Sequence, residues 1–488
     1  MKKLMMAFAA GVATVFGLFA ETYKVANSTE LVTAVANAGA GDEIVLAANT
    51  YSLAGTLAVG EAITVRGATG DWRDVIIRGS GAAEERVIYI QNATLESVTV
   101  TNGRVPYDGT GGGIYLDGGT VRNCRLTDNQ SGGGNRGGIA IANNGGTVVD
   151  CLIDGNTHSG GNCRGLAYVQ WNGAIGERLV ITNNVNTGAL HGSDGNWRQG
   201  GGACVYGGTL RNSLIAFNRA GTYGSAGGTQ NTGIGVTITD GTLENCTIYG
   251  NTYDGVANGI FAGVGRTGGT VRNCLISANA GSAGEQNWVG SPSSFVTCCT
   301  SPVDGLADAS LADETTLVFD RGVARLIRGS SAINAATDPG TYGEDAIDLY
   351  GNPRILDRLD IGCVEYVEPS FGCVFTADRT SGLGEYTATL TAHPEGNLDG
   401  LNCTWSFSDG SDDIVGTSEI THRISAIGMT TVTLVARNRW GGQRDLDTDL
   451  YHAAQNALCE ERKSRRRGAL CVNRDGCCRY SDCGRGGG

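Results

Sequence analysis

One phrase recurs along this chain and constrains its fold more than any other feature. A threonine and a branched apolar residue lead through a polar residue to Asn and then Cys or Ser. The phrase reads TVRNC at Thr120–Cys124 and Thr270–Cys274, TVVDC at Thr147–Cys151, TLRNS at Thr209–Ser213 and TLENC at Thr242–Cys246. A shorter copy, TLES, stands at Thr94–Ser97, and a degenerate one, ERLVI, ends at Ile181. The steps are 27 residues from Ser97 to Cys124, 27 to Cys151, 33 from Ser213 to Cys246 and 28 to Cys274. A period in this range marks stacked units, each too small to bury a core alone.

The residues after each phrase identify the unit. Leu126 precedes Asn129, Ile153 precedes Asn156, Ile248 precedes Asn251 and Ile276 precedes Asn279. A glycine-rich stretch comes next, then a second apolar run such as Gly113–Leu116 or Gly138–Ile141. Runs this short, with period-two alternation and Gly or Asn breaks, exclude a helical solenoid. They predict an all-β chain wound as a right-handed parallel β-helix. Its coils lie ~4.8 Å apart, so equivalent side chains stack. The stacking predicts a structural ladder in which Asn123, Asn212, Asn245 and Asn273 bond to their copies above and below. Cys124, Cys151, Cys246 and Cys274 then serve as small buried filler just past the bend, a slot shared with Ser97 and Ser213. Stacked copies stand beyond the ~3.5–4.5 Å between Cβ atoms that a disulfide needs. A ladder also diverges along its axis where tetrahedral zinc needs four converging groups, so no metal site is expected.

Composition narrows the class further. Glycine supplies 78 of the 488 residues, without the every-third spacing of collagen, and 41% of the chain is hydrophobic, too much for a disordered chain. The net charge of −13 argues against nucleic acid as a partner. Lys2 and Lys3, an apolar stretch from Leu4 to Phe19 and the small Ala20 read as a signal peptide over residues 1–20. The mature chain then carries no membrane-spanning segment and is expected to be exported to the cell envelope or the extracellular space.

Several segments resemble known families. The alternation of Gly112-Gly113-Ile114 with Leu126–Asn129, of Gly137-Gly138-Ile139 with Ile153–Asn156, and of Gly259-Ile260 with Ile276–Asn279 resembles the repeats of polymorphic outer-membrane proteins, with Leu or Ile in place of the usual Phe. Ser330–Asn334 and the run DLYGNPRILDRLDIGCVEY at Asp348–Tyr366 resemble the closing module of bacterial choice-of-anchor Q proteins. That resemblance implies a closure of the coil over residues 299–366. At the other end, Asn27 with Glu30 three residues later predicts a capped helix, Leu31 and Val35 on one face, over a first coil strand at Ile44–Leu46. The β-helix thus spans residues 21–366.

From Pro369 the spacing becomes that of antiparallel strands, Tyr386–Thr391, Cys403–Phe407 and Thr430–Ala436. Trp405–Gly410 followed by Val432–Leu434 resembles a polycystic-kidney-disease-type (PKD) β-sandwich, placed over residues 369–446. The resemblance implies Trp405 in the core and Asp409-Gly410 in the hairpin turn. Cys373 and Cys403 are candidates for one disulfide, and the sequence leaves their pairing open. Residues 451–488 change character, with five cysteines and eight Lys or Arg against four acids. They are expected to be disordered, and a shifted reading frame accounts for them better than a zinc site. With chosen codons, the frame one base later can read STETAAADIQTAVEAA, similar to the helix at Ser28–Ala38. The nucleotide sequence tests that idea.

Chemistry is sparse. Many β-helices are polysaccharide lyases or hydrolases, which need clustered carboxylates. Here acids such as Asp128, Asp154 and Asp240 are scattered one per turn, so no catalytic residue and no cofactor is assigned. The one enriched loop, Leu190–Arg198, offers His191, Asp194, Trp197 and Arg198 as a sugar-contacting patch, weighed against an ordinary long turn. The expected function is adhesion, glycan binding or a structural role at the cell surface. Its partner would be a polysaccharide or a host or cell-surface glycan or protein; the alternative is a carbohydrate-active enzyme.

Overall fold

The computed structural model describes residues 20–453 except 61, 84, 105–108, 132–136, 160–166, 188–200, 221–231, 255–259, 282–283, 307–309, 312–316, 321–322, 327–328, 338–341, 344, 368–371, 396–397, 399–400, 426–427 and 438–442; beyond 453 it describes Cys471–Val472 and Cys478–Arg479. The chain divides into two compact units, Met1–Tyr366 and Val367–Gly488.

The first unit is a right-handed parallel β-helix. Its first full coil runs through sheet A (Glu43–Leu46), sheet B (Asn49–Ser52) and sheet C (Leu57–Val59). A short sheet D joins later coils from Gln130–Ser131 onward. Sheets A and B have eleven strands each, C nine and D seven. Alternation decides which side chains enter the core. In Ile114–Asp117, Ile114 and Leu116 are fully buried while Tyr115 and Asp117 face outward. In-register pairing then stacks Ile88, Ile114 and Ile141 into one column.

The recurring Asn marks a backbone requirement. Between sheets A and B the coils after the first turn through one residue with positive φ: Ser97 (56°), Asn123 (49°), Asn212 (49°), Asn245 (46°) and Asn273 (53°) among them. Asn tolerates this left-handed conformation better than most residues. The amides of Asn123, Asn212, Asn245 and Asn273 do not form the continuous ladder expected of them. Asn123 donates to Gly70 O and Ser97 Oγ, and only Asn273 reaches a copy, Asn245 Oδ1 at 3.4 Å. The register also shifts one assignment. Ser97 pairs in sequence with Asn123, so Val98, not Ser97, fills the slot equivalent to Cys124. Cys124, Cys151, Cys246 and Cys274 are buried free thiols in that slot, and Cys298 joins them.

The continuous ladder belongs to a different set. Asn129, Asn156, Asn184, Asn218, Asn251 and Asn279 lie wholly inside the coil. Each donates its Nδ2 to the Oδ1 of the next, ending on Asn287, at 2.9–3.1 Å. The same Oδ1 accepts the preceding Asn's backbone N–H. Glycine is the companion of this ladder. A Cβ at Gly202 would stand 2.7 Å from Asn218 Nδ2, and one at Gly235 2.9 Å from Asn251 Nδ2. The Gly-Gly-apolar and apolar-x-x-Asn elements are thus two sides of one contact.

At the N-terminal end, Asn27 Oδ1 accepts the Glu30 N–H and Glu30 in turn accepts the Ala26 N–H, a reciprocal cap on helix Ser28–Asn37. Leu31 and Ala34 are buried against the first coil, with Val35 partly buried beside them. An unforeseen strand, Thr22–Val25, precedes the helix and forms the edge of sheet A.

The segment expected to close the far end lies elsewhere. Cys299–Thr300 is still a strand of sheet B. The residues after it pack along the outer side of that sheet. Leu317, Ala324, Leu326, Ala332, Leu359, Ile361 and Cys363 bury the outward Leu214, Ala216, Leu275 and Cys299. The bend asparagines anchor this cover: Tyr342 donates to Asn212 Oδ1 and Asn245 Oδ1, and Asn273 to Thr337 O. The DLYGNPRILDRLDIGCVEY run is a knot within it. Asp348 accepts the N–H groups of Tyr350, Asn352 and Glu365, while buried Arg354 reaches Gly362 O and Glu365 Oε1, both at 2.6 Å.

The second unit is a β-sandwich of a three-stranded and a five-stranded sheet. Its strands Tyr386–Glu395, Asn402–Phe407 and Gly428–Arg437 contain the expected ones. Trp405 is fully buried, its Nε1 donating to Thr417 O and its ring edge-on to Phe375. Asp409 accepts from the Ser411 N–H and contacts His422 Nε2 at 2.9 Å, beside Gly410 at φ 84°. Strand Gln443–Ala453 pairs on both sides, which carries the sandwich past residue 446 and past Tyr451. Farther into the stretch expected to be disordered, Cys471–Val472 pairs with Cys478–Arg479. Cys373 and Cys403 are buried as free thiols.

Candidate functional site

The inside of the coil is packed and the far half of sheet B is covered, so chemistry available to a partner lies on the remaining outer faces. Sheet C carries the densest such face. Its strands place Tyr89, Tyr115, Ala142, Val169 and Cys204 in one outward column, and Gln91, Asp117, Asn144 and Trp171 in the next. Tyr206 extends the face one coil beyond Trp171.

The rings form a continuous strip. Tyr89 and Tyr115 stack with centroids 5.6 Å apart, and Tyr115 meets Trp171 edge-on at 6.3 Å. The small Ala142 between them lets rings from nonadjacent coils meet. Ala142, Val169 and Cys204 are buried beneath, with Tyr115, Trp171 and Tyr206 packed on them and half-exposed. A polar row runs alongside. Tyr89 OH donates to Asp117 Oδ2, Asn144 Nδ2 to Asp117 Oδ1 at 2.7 Å, and Asn172 Nδ2 to Asn144 Oδ1 at 2.6 Å. Arg86 completes the site, its guanidinium carbon 5.0 Å over the Tyr115 ring.

Electrostatics fit a preformed, partly dry surface. Burial pushes the Tyr89 phenol up, reinforced by its bond to Asp117. Tyr115 is raised by burial and by Asp117, with Arg86 acting the other way. Both stay neutral donors across the physiological range. Burial lowers Arg86 from the usual arginine value, and nearby Tyr115 and Tyr89 offset only part of that.

A second outer surface is a groove of about 350 Å³ on the uncovered half of sheet B, lined by Trp72, Arg73, Arg78, Thr99, Arg125 and Asp128 among others. Arg73 lies 4.1 Å over the Trp72 ring and Arg125 5.4 Å from it. Asp71 and Asp154 already neutralise these two arginines. The tryptophan face there is spent on cations that are themselves paired, so sheet C is the better platform.

His191, Asp194, Trp197 and Arg198 lie outside the described residues. Their loop leaves sheet D after Val185–Asn186 and returns at Ala203–Val205 of sheet C. The ladder cysteines face the core, Asn212, Asn245 and Asn273 face the cover, and Asn123 bonds Gly70 O and Ser97 Oγ at its own bend, so none of them lines this strip. Among the described residues, no three His, Cys, Asp or Glu side chains gather as a metal site. Sequence reasoning missed Arg86, Tyr89, Tyr115, Trp171 and Tyr206. The signal was there in IYIQ and IYLD, where one outward tyrosine repeats 26 residues apart.

No family model matches the chain, and no curated protein matches it. Among solved structures it is similar to an alginate lyase from Paenibacillus sp. str. FPU-7, with 15% identity, 51% of this chain and 97% of that one covered, and a TM-score of 0.26. It is also similar to a PL6 family polysaccharide lyase from Pseudopedobacter saltans, with 11% identity, 71% and 100% coverage and a TM-score of 0.17. Likeness at this level carries no argument.

Proposed function

We propose that this chain is an exported β-helix protein that binds glycan along the outer face of sheet C. One observation carries the reading: an aromatic strip and a parallel row of carboxylate and amide groups run together along the coil axis. Tyrosine and tryptophan pair an apolar ring with a polar tip, the combination that suits a sugar's C–H faces and hydroxyls. Tyr89 to Tyr206 spans four coil steps, about 19 Å at the strand spacing. A repeating polymer lying along the axis would therefore meet a repeating surface. Adhesion to a glycan-bearing surface follows from the same contacts.

Affinity electrophoresis of the purified mature chain through polysaccharide gels tests this. Retardation by at least one polysaccharide, lost in Tyr115→Ala and Trp171→Ala while the far-UV spectrum stays unchanged, is the expected result. Equal mobility of the wild type in all gels and in blank gel would overturn it. Shortened polymer or new unsaturated ends would replace binding with turnover.

A further inference from the structure

We infer that the strip on sheet C selects glycans bearing oxyanion groups, with the Arg86 guanidinium receiving the carboxylate or sulfate. This rests on the glycan-binding reading and narrows it.

Several of the coil's other arginines supply the contrast. Arg66 pairs with Glu43, Arg122 with Glu96, Arg125 with Asp154, Arg211 with Glu177 and Arg272 with Glu244, each across neighbouring coils. These pairs neutralise charges that stacking would otherwise set close together. Arg86, like Arg78 and Arg104, stands outside this pattern. Among the described residues no carboxylate lies within ion-pair distance of it, and its contact is the Tyr115 ring. It is half-buried, and the groups that favour its charge are tyrosines, not acids.

The nearby described acids are already engaged. Asp117 accepts from Tyr89 OH and Asn144 Nδ2, and Glu85 accepts from the Ser80 hydroxyl. Among the described residues, the strip thus holds an anion with two hydrogen bonds and a cation whose donors meet no acceptor. A guanidinium presents five N–H donors in a planar fork suited to oxyanions. A neutral polymer would use the rings and amides yet return little to the half-dehydrated charge. The chain's net charge of −13 does not forbid an anionic ligand, since screening over about 8 Å at physiological salt makes the local cation count most.

The test runs the full mature chain through gels containing polygalacturonate, dextran sulfate, highly methyl-esterified pectin or neutral dextran. Retardation is expected in one or both charged gels, and little in the esterified or neutral ones. The arm that retards assigns carboxylate, sulfate or both. Arg86→Gln should lose about ten-fold in affinity for the charged polymer, while Arg86→Lys retains part of it. Tyr115→Ala should lose affinity for every polymer bound. Equal retardation by charged and uncharged polymers, or full affinity in a folded Arg86→Gln, would overturn the inference and leave the glycan reading standing. Absence of retardation in any gel would overturn both. The acid-against-ester comparison needs only the wild type, so it decides even if a variant fails to fold.

Discussion

Replacing Asn218 with alanine isolates what the internal ladder contributes. The Asn218 side chain makes four hydrogen bonds in a fully buried site. Its Nδ2 donates to Ile181 O at 2.9 Å and Asn251 Oδ1 at 3.0 Å. Its Oδ1 accepts the Asn184 backbone N–H at 3.2 Å and Asn184 Nδ2 at 2.9 Å. The consequences are unequal. Asn251 Oδ1 keeps a partner, because the residue 218 backbone N–H still reaches it. Asn184 loses the acceptor for two donors, its backbone N–H and one amide hydrogen. Each buried unsatisfied donor costs ~1–3 kcal/mol, so Asn218→Ala should cost ~2–6 kcal/mol before any cavity cost. Water entering the vacated space would move the value toward the lower end.

A single melting temperature does not suit this measurement, because solenoid coils open locally as well as globally. Urea titration should be combined with native-state hydrogen exchange. The expected result is a lowered midpoint together with faster exchange of the Asn184 amide, while amides of the first coils stay protected. Asn218→Asp keeps an acceptor for the two Asn184 donors but sets a carboxylate oxygen against Ile181 O and Asn251 Oδ1 and buries a charge, so it should be worse than alanine. A loss below ~1 kcal/mol with unchanged Asn184 protection would refute the idea that the ladder stabilises the coil.

Three further outcomes rest on the coil's geometry and a fourth on the sandwich. Gly202→Ala should cost ~1–3 kcal/mol by overpacking in a urea titration, because its Cβ would stand 2.7 Å from Asn218 Nδ2 and 2.8 Å from Ile215 Cγ2. Cys124→Ser should cost less than ~1 kcal/mol, because Ser213 in the same slot donates to Arg211 O at 2.7 Å and accepts the Leu179 N–H at 3.0 Å. Thiol labelling should reach Cys151 and Cys274, whose thiols burial holds well above the usual value, only after denaturation. In the sandwich, burial raises the Asp409 carboxyl, but bonds from His422 and Ser411 outweigh it and hold it below the usual value. Its contribution is present above the unfolded carboxylate pKa and lost as pH falls through the lower folded value, so Asp409→Asn should flatten the acid limb of stability against pH.

Legibility in the sequence depends on whether stacking acts on a residue. Core columns and bends repeat because each coil meets the same neighbours, so Ile114, Asn129 and Asn273 all carry a period. The misplacement of Ser97 comes from aligning the last letters of a phrase. The backbone instead aligns the positive-φ residue, which puts Ser97 with Asn123 and Val98 with Cys124. The sandwich extends beyond the boundary at 446 because Asp445, Asp447 and Asp449, which suggest a loop, stand at alternate positions of strand Gln443–Ala453. Outward residues face no such repeated neighbour. Tyr89 and Tyr115 align, but Ala142 breaks the series and Trp171 enters from the adjacent column. The strip exists only once register and ring direction are known, which a linear pattern does not contain.

The segment after Cys299 can be separated from the coil by experiment. The outward column of sheet B changes character along the coil. It begins with Thr50, Ile76, Thr99 and Arg125 and continues as Leu152, Val180, Leu214, Thr247 and Leu275. Leu214 and Leu275 are buried beneath the later segment, whose Gly362 and Cys363 N–H groups reach Asn273 O and Thr247 Oγ1. An end plug would hold the last coil shut, whereas a side cover shields an apolar face of a coil already closed by its own hydrogen bonds. Leu275→Lys should therefore release the cover and leave the winding intact, losing roughly 1.5–3 kcal/mol of apolar burial plus the cost of placing a charge there. Hydrogen exchange should then accelerate at Ile361, whose N–H reaches Ala332 O, and at Arg354, whose N–H reaches Ala346 O, while Asn251 and Val236 keep their protection. Thr50→Lys, at an exposed position on the uncovered half of the same face, should change neither. Joint loss of protection at Ile361 and Asn251 in Leu275→Lys would mean that cover and coil unfold as one body, and that the segment closes the helix after all.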